Sequence, residues 1–266
     1  MLLREVAYAR PASVEEALRL LTDHPGARAL AGGQTLTNVM KARAASPDGL
    51  VDLNGIDELH GLDLAADGTL TIGAMTTYTE IMSSAEARAR PILGEVCATI
   101  ADVQVRNRGT IGGNVCSNDP TNHLPPLMVA VRARMVVRGT GGEREVPAEE
   151  FFLGVYMTAV GPGELLMRVI VPPGRADGFA AVTIGRDGTC IVNAAASMDG
   201  DGARVAIGCV EAVPVLVHAD SPEGIRDAVR AKTLTPPSDV HASAEYRTHL
   251  AEVLAERAVR RAQERA

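Results

Sequence analysis

The chain has 266 residues, of which 46% are apolar, 22% charged and 3% aromatic, with a formal net charge of −7 and 4 cysteines. That apolar fraction can offset the ordering entropy of a core and excludes a disordered chain. No run of about 18 apolar residues exists, which excludes a membrane-spanning helix, and the acidic balance without a basic block excludes a nucleic-acid footprint. Lys41 and Lys232 are the only lysines, so arginine carries nearly all the positive charge. Cys97, Cys116, Cys190 and Cys209 contain no C-x-x-C pair and no grouped histidine, so zinc or iron–sulfur ligand spacing is missing. Residues 1–10 alternate charged and apolar side chains and do not form a secretory signal. The thiols are therefore expected to be buried and reduced, in a cytoplasmic protein.

In chain order, Ser13 and Glu16 form a capping box that opens a helix with Val14, Ala17, Leu18 and Leu21 on one face. His24-Pro25-Gly26 ends it. Residues 27–31 read as a short buried strand running into Gly32-Gly33, residues 35–44 as a helix and residues 51–53 as another strand. A hairpin follows across Asp67-Gly68, with Leu62, Leu64, Leu70 and Ile72 at period two. Residues 77–98 return to helical spacing, broken at Pro91, and a second glycine loop spans residues 109–114. Pro125-Pro126 precede the apolar run 127–131, and residues 135–137 and 143–146 flank a Gly-rich hairpin turn. Pro172-Pro173-Gly174 is the best domain boundary. Beyond it, residues 179–184, 190–198 and 203–210 read as three strands, the last two joined by Asp199-Gly200-Asp201-Gly202. Residues 243–266 make an amphipathic helix carrying Tyr246, Leu250, Val253 and Leu254. This mixture is an α+β pattern of two domains.

Two segments resemble each other: Ala31-Gly32-Gly33-Gln34-Thr35 and Thr110-Ile111-Gly112-Gly113-Asn114. Each sets paired glycines before an amide side chain. Glycine permits positive φ and close backbone approach, and successive N–H groups can form an anion-binding nest. Two nests face to face would clasp a pyrophosphate without lysine; the plainer reading is that both pairs simply make turns. No G-x-G-x-x-G and no G-K-[ST] occurs, so Rossmann and P-loop sites are not supported. Arg106 and Arg108 read as structural ion-pairing residues, Asp119-Pro120 as turn chemistry and Cys116 as a small buried thiol.

These glycine segments, with Met40-Lys41, Ile72-Gly73-Ala74-Met75-Thr76, Gln104-Val105-Arg106-Asn107-Arg108-Gly109 and Asp119-Pro120, resemble the FAD-binding subunit of molybdenum hydroxylases. The likeness is greatest to the medium subunits of aerobic carbon monoxide dehydrogenases, within the wider xanthine dehydrogenase group, and it covers essentially the whole chain. It implies a vanillyl-alcohol-oxidase (PCMH)-type FAD-binding domain over residues 1–173, made of two α/β subdomains at about 1–56 and 57–173. A small C-terminal domain with a three-stranded antiparallel sheet and helices is implied for residues 174–266. By the same resemblance, Ala31, Gly32, Gly33, Gln34, Thr35 and Leu36, with Thr110, Ile111, Gly112, Gly113 and Asn114, match pyrophosphate and ribityl contacts of non-covalent FAD. Leu166 matches a leucine against the isoalloxazine ring, and Ser117 and His123 match positions lining the ribityl and phosphate region. Many relatives have Asp where His123 stands. The carbon monoxide enzyme has a flavin-side Tyr where this chain reads around Gly188-Thr189, and residues 217–243 look shortened.

The implied role is electron transfer. Substrate is oxidised at a molybdenum cofactor on a large partner subunit, and [2Fe–2S] clusters on a small partner deliver electrons to FAD here. An external acceptor receives them, in an assembly expected to be a dimer of heterotrimers. No catalytic acid or base is assigned to this chain. The alternatives are a self-contained FAD oxidase or reductase of the same fold, and a non-enzymatic interaction subunit that has lost FAD.

Overall fold

A computed structural model describes residues 3–185, 188–200 and 202–266; Asp201, in the turn expected between two C-terminal strands, lies outside the described residues. The N-terminal layer runs β1 (Ala7–Ala9), α1 (Val14–Asp23), β2 (Ala27–Leu30), α2 (Leu36–Lys41) and β3 (Gly49–Asp52). Its three strands are parallel in the order β1-β3-β2. Helix α1 starts at the expected cap, with Ser13 Oγ accepting from the Glu16 N–H at 3.2 Å, but Glu16 Oε2 accepts from the Ala12 N–H at 3.1 Å instead of closing the expected box on the Ser13 N–H. Val14, Ala17, Leu18 and Leu21 are its buried face.

The middle of the chain forms β4 (Leu62–Leu64), β5 (Leu70–Gly73), α3 (Tyr78–Ser83), α4 (Ile92–Ala98), α5 (Val103–Arg106), α6 (Ile111–Ser117) and α7 (Leu124–Ala130). It continues through β6 (Arg134–Gly139), β7 (Gly142–Pro147), α8 (Ala148–Phe151), β8 (Phe152–Gly154), β9 (Met157–Thr158) and β10 (Leu165–Val171). Five of these strands make an antiparallel sheet in the order β4-β5-β10-β6-β7. Both faces of its central strands are buried. Val136, Leu165 and Met167 pack with Val14, Leu18 and Val51, while Met135, Val137 and Leu166 join a separate core with Leu127 of α7. A strand buried on both faces needs no alternation of polar residues, which is why β10 reads L-L-M-R-V-I-V. The apolar run 127–131 belongs to a helix that begins before its prolines: Pro125 and Pro126 occupy the first turn of α7, where a missing N–H costs nothing.

The remainder is β11 (Asp177–Thr183), β12 (Cys190–Asp199), β13 (Gly202–Gly208), β14 (Val215–Ala219), α9 (Ile225–Arg230) and α10 (Ala244–Gln263). The sheet is an antiparallel meander of four strands rather than the three expected, because the chain turns back after Cys209 and lays Val215–Ala219 along β13. Helix α10 covers one face of this sheet, over Ala194, Ala196, Val205 and Ile207. Gly178 is required beneath it: a Cβ there would overlap the Ala258 carbonyl and stand 2.7 Å from the Ala262 nitrogen. Arginines fasten the helix to strand carbonyls, with Arg261 donating to Phe179 O, Arg265 to Asp177 O at 3.2 Å, and Arg247 to Ile191 O and Cys209 O. Arg247 is 4% exposed and Tyr246 is 45% exposed, so the buried stripe is rotated from the expected one.

A buried ion pair joins the helical layer to this meander. Arg90 Nε and Nη2 donate to both oxygens of Asp177 at 2.8 and 2.9 Å, and Arg90 also donates to the Pro172 carbonyl and to Ser197. The two residues are 4% and 1% exposed. Removing one partner of a buried pair strands the other charge, at about 3–5 kcal/mol. Arg90→Ala is expected to lower the urea-unfolding free energy by about that amount, and an unchanged midpoint would refute this role. Asp239 offers a pH test. N–H bonds from His241 and Ala242, with Arg247 beside it, hold its carboxyl down to about 2. Its contribution to stability is therefore complete above about pH 4, the ordinary carboxylate range, and is lost as pH falls toward 2. Asp239→Asn is expected to flatten the acid-unfolding profile in that window and to change nothing in its shape near neutrality.

Candidate functional site

The first glycine segment leaves β2 and enters α2. Its carbonyl at Ala31 accepts from Asn54 Nδ2 at 3.2 Å. Asn54 is set in turn by Asp52, whose Oδ1 accepts from the Asn54 N–H at 2.9 Å and from Nδ2 at 2.6 Å, while the Tyr8 hydroxyl donates to Oδ2. Burial pushes the Asp52 carboxyl up, but the hydrogen bonds from Tyr8 and Asn54 outweigh it and hold the group below its ordinary range. Gly33 is left-handed at φ +72°, as a tight strand-to-helix turn demands. Gln34 Nε2 folds back on Gly32 O at 3.0 Å and Thr37 Oγ1 donates to Gly33 O. Among the described residues, nothing accepts from the N–H groups of Gly32, Gly33, Gln34 or Thr35. Leu36 is half-buried at the start of α2.

The second segment differs from the expected loop. Residues 111–117 are helix α6, capped by Thr110, whose Oγ1 accepts from the Gly113 N–H at 3.0 Å. Ile111 N–H donates to Thr76 O at 3.0 Å, Gly112 N–H to Ala74 O at 2.8 Å and Asn114 N–H to Thr110 O at 3.0 Å. The N–H groups of Ile111 to Asn114 are committed to the protein, so the picture of two opposed nests is corrected to one nest and one close-packed helix start. The glycines of α6 serve approach. A Cβ on Gly112 would lie 2.7 Å from Ala74 Cβ, and one on Gly113 would lie 3.4 Å from Ala31 Cβ and 2.9 Å from Thr110 Oγ1. The two segments also touch at Gly32, where a Cβ would overlap the Arg108 carbonyl and stand 3.0 Å from Gly109 Cα.

Asn114 is buried, with Nδ2 donating to the Tyr78 hydroxyl at 2.9 Å, while its Oδ1 has no partner among the described residues. Burial pushes the Tyr78 phenol well above its ordinary range, so it stays a neutral donor and acceptor. The Asn114 carbonyl accepts from Ser117 Oγ at 2.8 Å and from Asn122 Nδ2 at 3.1 Å. Asn193 Nδ2 donates to Asn122 O at 3.2 Å and lies 3.5 Å from His123 Nδ1. His123 is 7% exposed and tilts against Phe179 with ring centroids 5.3 Å apart. The structure thus brings Ala31, Gly32, Thr110, Gly113, Asn114 and Ser117 together and links His123 to them through Asn122. Leu166 is 4% exposed on β10, beside the bulge at which Met167 O accepts from the Ala74 N–H.

Other residues follow their local chemistry. Arg106 donates to the Ile100 and Ala101 carbonyls, a main-chain role in place of the expected ion pair. Asp119 makes the expected turn, accepting from the Thr121 N–H at 2.9 Å. Asn54, Tyr78 and Asn122 were missed by sequence reading. Of these, Asn54 carried a signal, because Asp52-Leu53-Asn54 at a strand end is an Asx-turn pattern. Among the described residues, no group of three or more His, Cys, Asp or Glu side chains is placed to hold a metal ion, and no helix is long and apolar enough to cross a membrane.

Three comparisons bear on this geometry. Residues 4–174 match the family model described as the FAD binding domain in molybdopterin dehydrogenase. The carbon monoxide dehydrogenase medium chain of Afipia carboxidovorans is 39% identical over 97% of each chain. Among solved structures, carbon monoxide dehydrogenase from Hydrogenophaga pseudoflava superposes with a TM-score of 0.93 at 34% identity over 100% of both chains. Quinoline 2-oxidoreductase from Pseudomonas putida does so with a TM-score of 0.91 at 32% identity over 99% of each. The packing at Gly113 generates a test. Gly113→Val presses on Thr110 and Ala31 and parts the two segments, so the variant is expected to keep its far-UV circular dichroism and lose its FAD. Normal flavin content would sink the argument.

Proposed function

Because the chain belongs to the family of FAD-binding domains of molybdopterin dehydrogenases, we propose that it is the flavin-bearing electron-transfer subunit of a molybdenum hydroxylase complex. The carrying observation is the run of free N–H groups from Gly32 to Thr35, held at Gly32 against Arg108 and Gly109. The residues fit FAD. A row of unpartnered donors suits pyrophosphate oxygens, with each such bond worth about 1.5–3 kcal/mol, and several together hold a dinucleotide without a covalent link. The buried Asn114 Oδ1 suits a hydroxyl donor of the ribityl chain. Glycine at positions 112 and 113 keeps side chains out of the approach.

In this reading Ala31, Gly32, Gly33, Gln34 and Thr35 hold the phosphates, and Thr110, Ile111, Gly112, Gly113 and Asn114 form the opposite wall. Leu36 and Leu166 supply apolar contact. Ser117 lines the wall through its bond to the Asn114 carbonyl. His123, already engaged with Phe179 and Asn193, positions Asn122 rather than touching the cofactor. FAD held by these residues would supply the redox chemistry, between [2Fe–2S] clusters of a small partner and an external acceptor. The chain's own residues bind and orient; none acts as acid or base. Substrate oxidation belongs to a large partner carrying the molybdenum cofactor, in a cytoplasmic dimer of heterotrimers. The relatives' designation as medium chains supports such an assembly.

Purification from the native source tests this. Flavin absorbance bands are expected in a complex with a larger chain and an iron–sulfur chain. A colourless chain that takes up no added FAD would overturn the flavin reading, and turnover by the lone flavoprotein would overturn the subunit reading.

A further inference from the structure

Cys190 and Cys209 form a chemical cluster that the flavin reading does not use. Two backbone irregularities bring them together. On β12, Val192 pairs with Val182 but Cys190 pairs with Thr183, so Ile191 is an extra, bulged residue. Residues three apart on a regular strand point to opposite faces; the bulge turns Cys190 onto the face of Asn193. Cys209 directly follows β13 and is left-handed at φ +68°, a rare and strained state for a residue with a side chain. Asn193 Nδ2 lies 3.4 Å from Cys190 Sγ and 3.5 Å from Cys209 Sγ, so one amide gathers both sulfurs.

The pair is 2% and 5% exposed, yet Cys209 is not sealed off. It lines a cavity of about 10 Å³ with Asn118, Asp119, Asn122 and Pro126. That is room for one water-sized molecule. Interaction with Cys209, with His123 close by, holds the Cys190 thiol well below its ordinary range despite burial, while interaction with Cys190 pushes the Cys209 thiol up. Cys97 and Cys116 contrast with them: burial alone pushes each up to about 12.

We propose that Cys190 and Cys209 are a reactive dithiol that hydrogen peroxide oxidises to a disulfide. The Cys190 sulfur, the one held as thiolate, attacks the peroxide first. It takes the nearer oxygen as a sulfenic acid and the farther oxygen leaves as hydroxide. The Cys209 sulfur then attacks the Cys190 sulfur and displaces the second oxygen, which leaves as water with the Cys209 proton. One S–H bond and one O–O bond break; one S–S and one O–H bond form. The sulfurs together lose two electrons and the peroxide gains them. Oxidation also removes both thiol acceptors from Asn193, which holds the Asn122 carbonyl, so the disulfide is coupled to the wall at Asn114 and Ser117.

Trypsin cuts between the two cysteines at Arg204, so a disulfide joins two peptides that are otherwise separate. The purified full chain is treated with hydrogen peroxide, unfolded in the presence of N-ethylmaleimide, digested and read by mass spectrometry. The expected result is the linked peptide pair, two hydrogens lighter than the separate peptides, with Cys97 and Cys116 fully alkylated. Cys97→Ser keeps the link, and Cys190→Ser and Cys209→Ser each abolish it. Alkylation of all 4 thiols in the wild-type chain would overturn the proposal. So would sulfinic or sulfonic acid at either cysteine without the link, or a link involving Cys97 or Cys116. The mapping reads sulfur chemistry alone, so it stands or fails separately from the flavin reading.

Discussion

The candidate site depends on two stretches of main chain lying in contact with no side chain between them. Gly32 rests on the Arg108 carbonyl and Gly109, and Gly113 rests on Ala31. Everything around this seam serves to keep it closed. Asn54 anchors the Ala31 carbonyl from one side, and Ala74 receives the Gly112 N–H from the other. Ala74 itself hangs from the bulge of β10 through Met167 O. The central strand of the five-stranded sheet therefore sets the height of α6, and β2 sets the position of the facing turn.

That arrangement divides the work between the two glycine segments in a way their similarity conceals. One segment keeps its N–H groups free, because it turns sharply out of a strand with Gly33 left-handed. The other spends its N–H groups on Thr76, Ala74 and Thr110 and contributes closeness instead. Identical residue types thus act through different properties of glycine: positive φ in the first, absence of a Cβ in the second.

Much of the local structure was legible in the sequence. The Ser13 cap of α1, the Asp67-Gly68 hairpin and the strand entering Gly32 obey short-range rules. What escaped was set by tertiary burial. β10 has no polar alternation because both its faces are covered, and periodicity does not distinguish such a run from a buried helix. β14 pairs only because Cys209 adopts a left-handed turn that no glycine announces. The rotation of α10, with Arg247 inside and Tyr246 outside, follows from the carbonyls Arg247 reaches and not from hydrophobicity. At the site, the glycine pairs pointed to the right place, but Asn54, Tyr78 and Asn122 became visible only through partners 23, 36 and 8 positions away along the chain.

The arginine contacts to strand carbonyls give α10 an unusual kind of attachment. Its helix meets a floor of small and branched apolar residues, and the guanidinium forks of Arg247, Arg261 and Arg265 read main-chain oxygens that every residue type presents. Apart from Gly178, which the helix backbone overlies, those anchors do not depend on side-chain identity in the sheet. They give a chain with only two lysines a use for its arginines that lysine, a point charge on a flexible stem, would serve poorly.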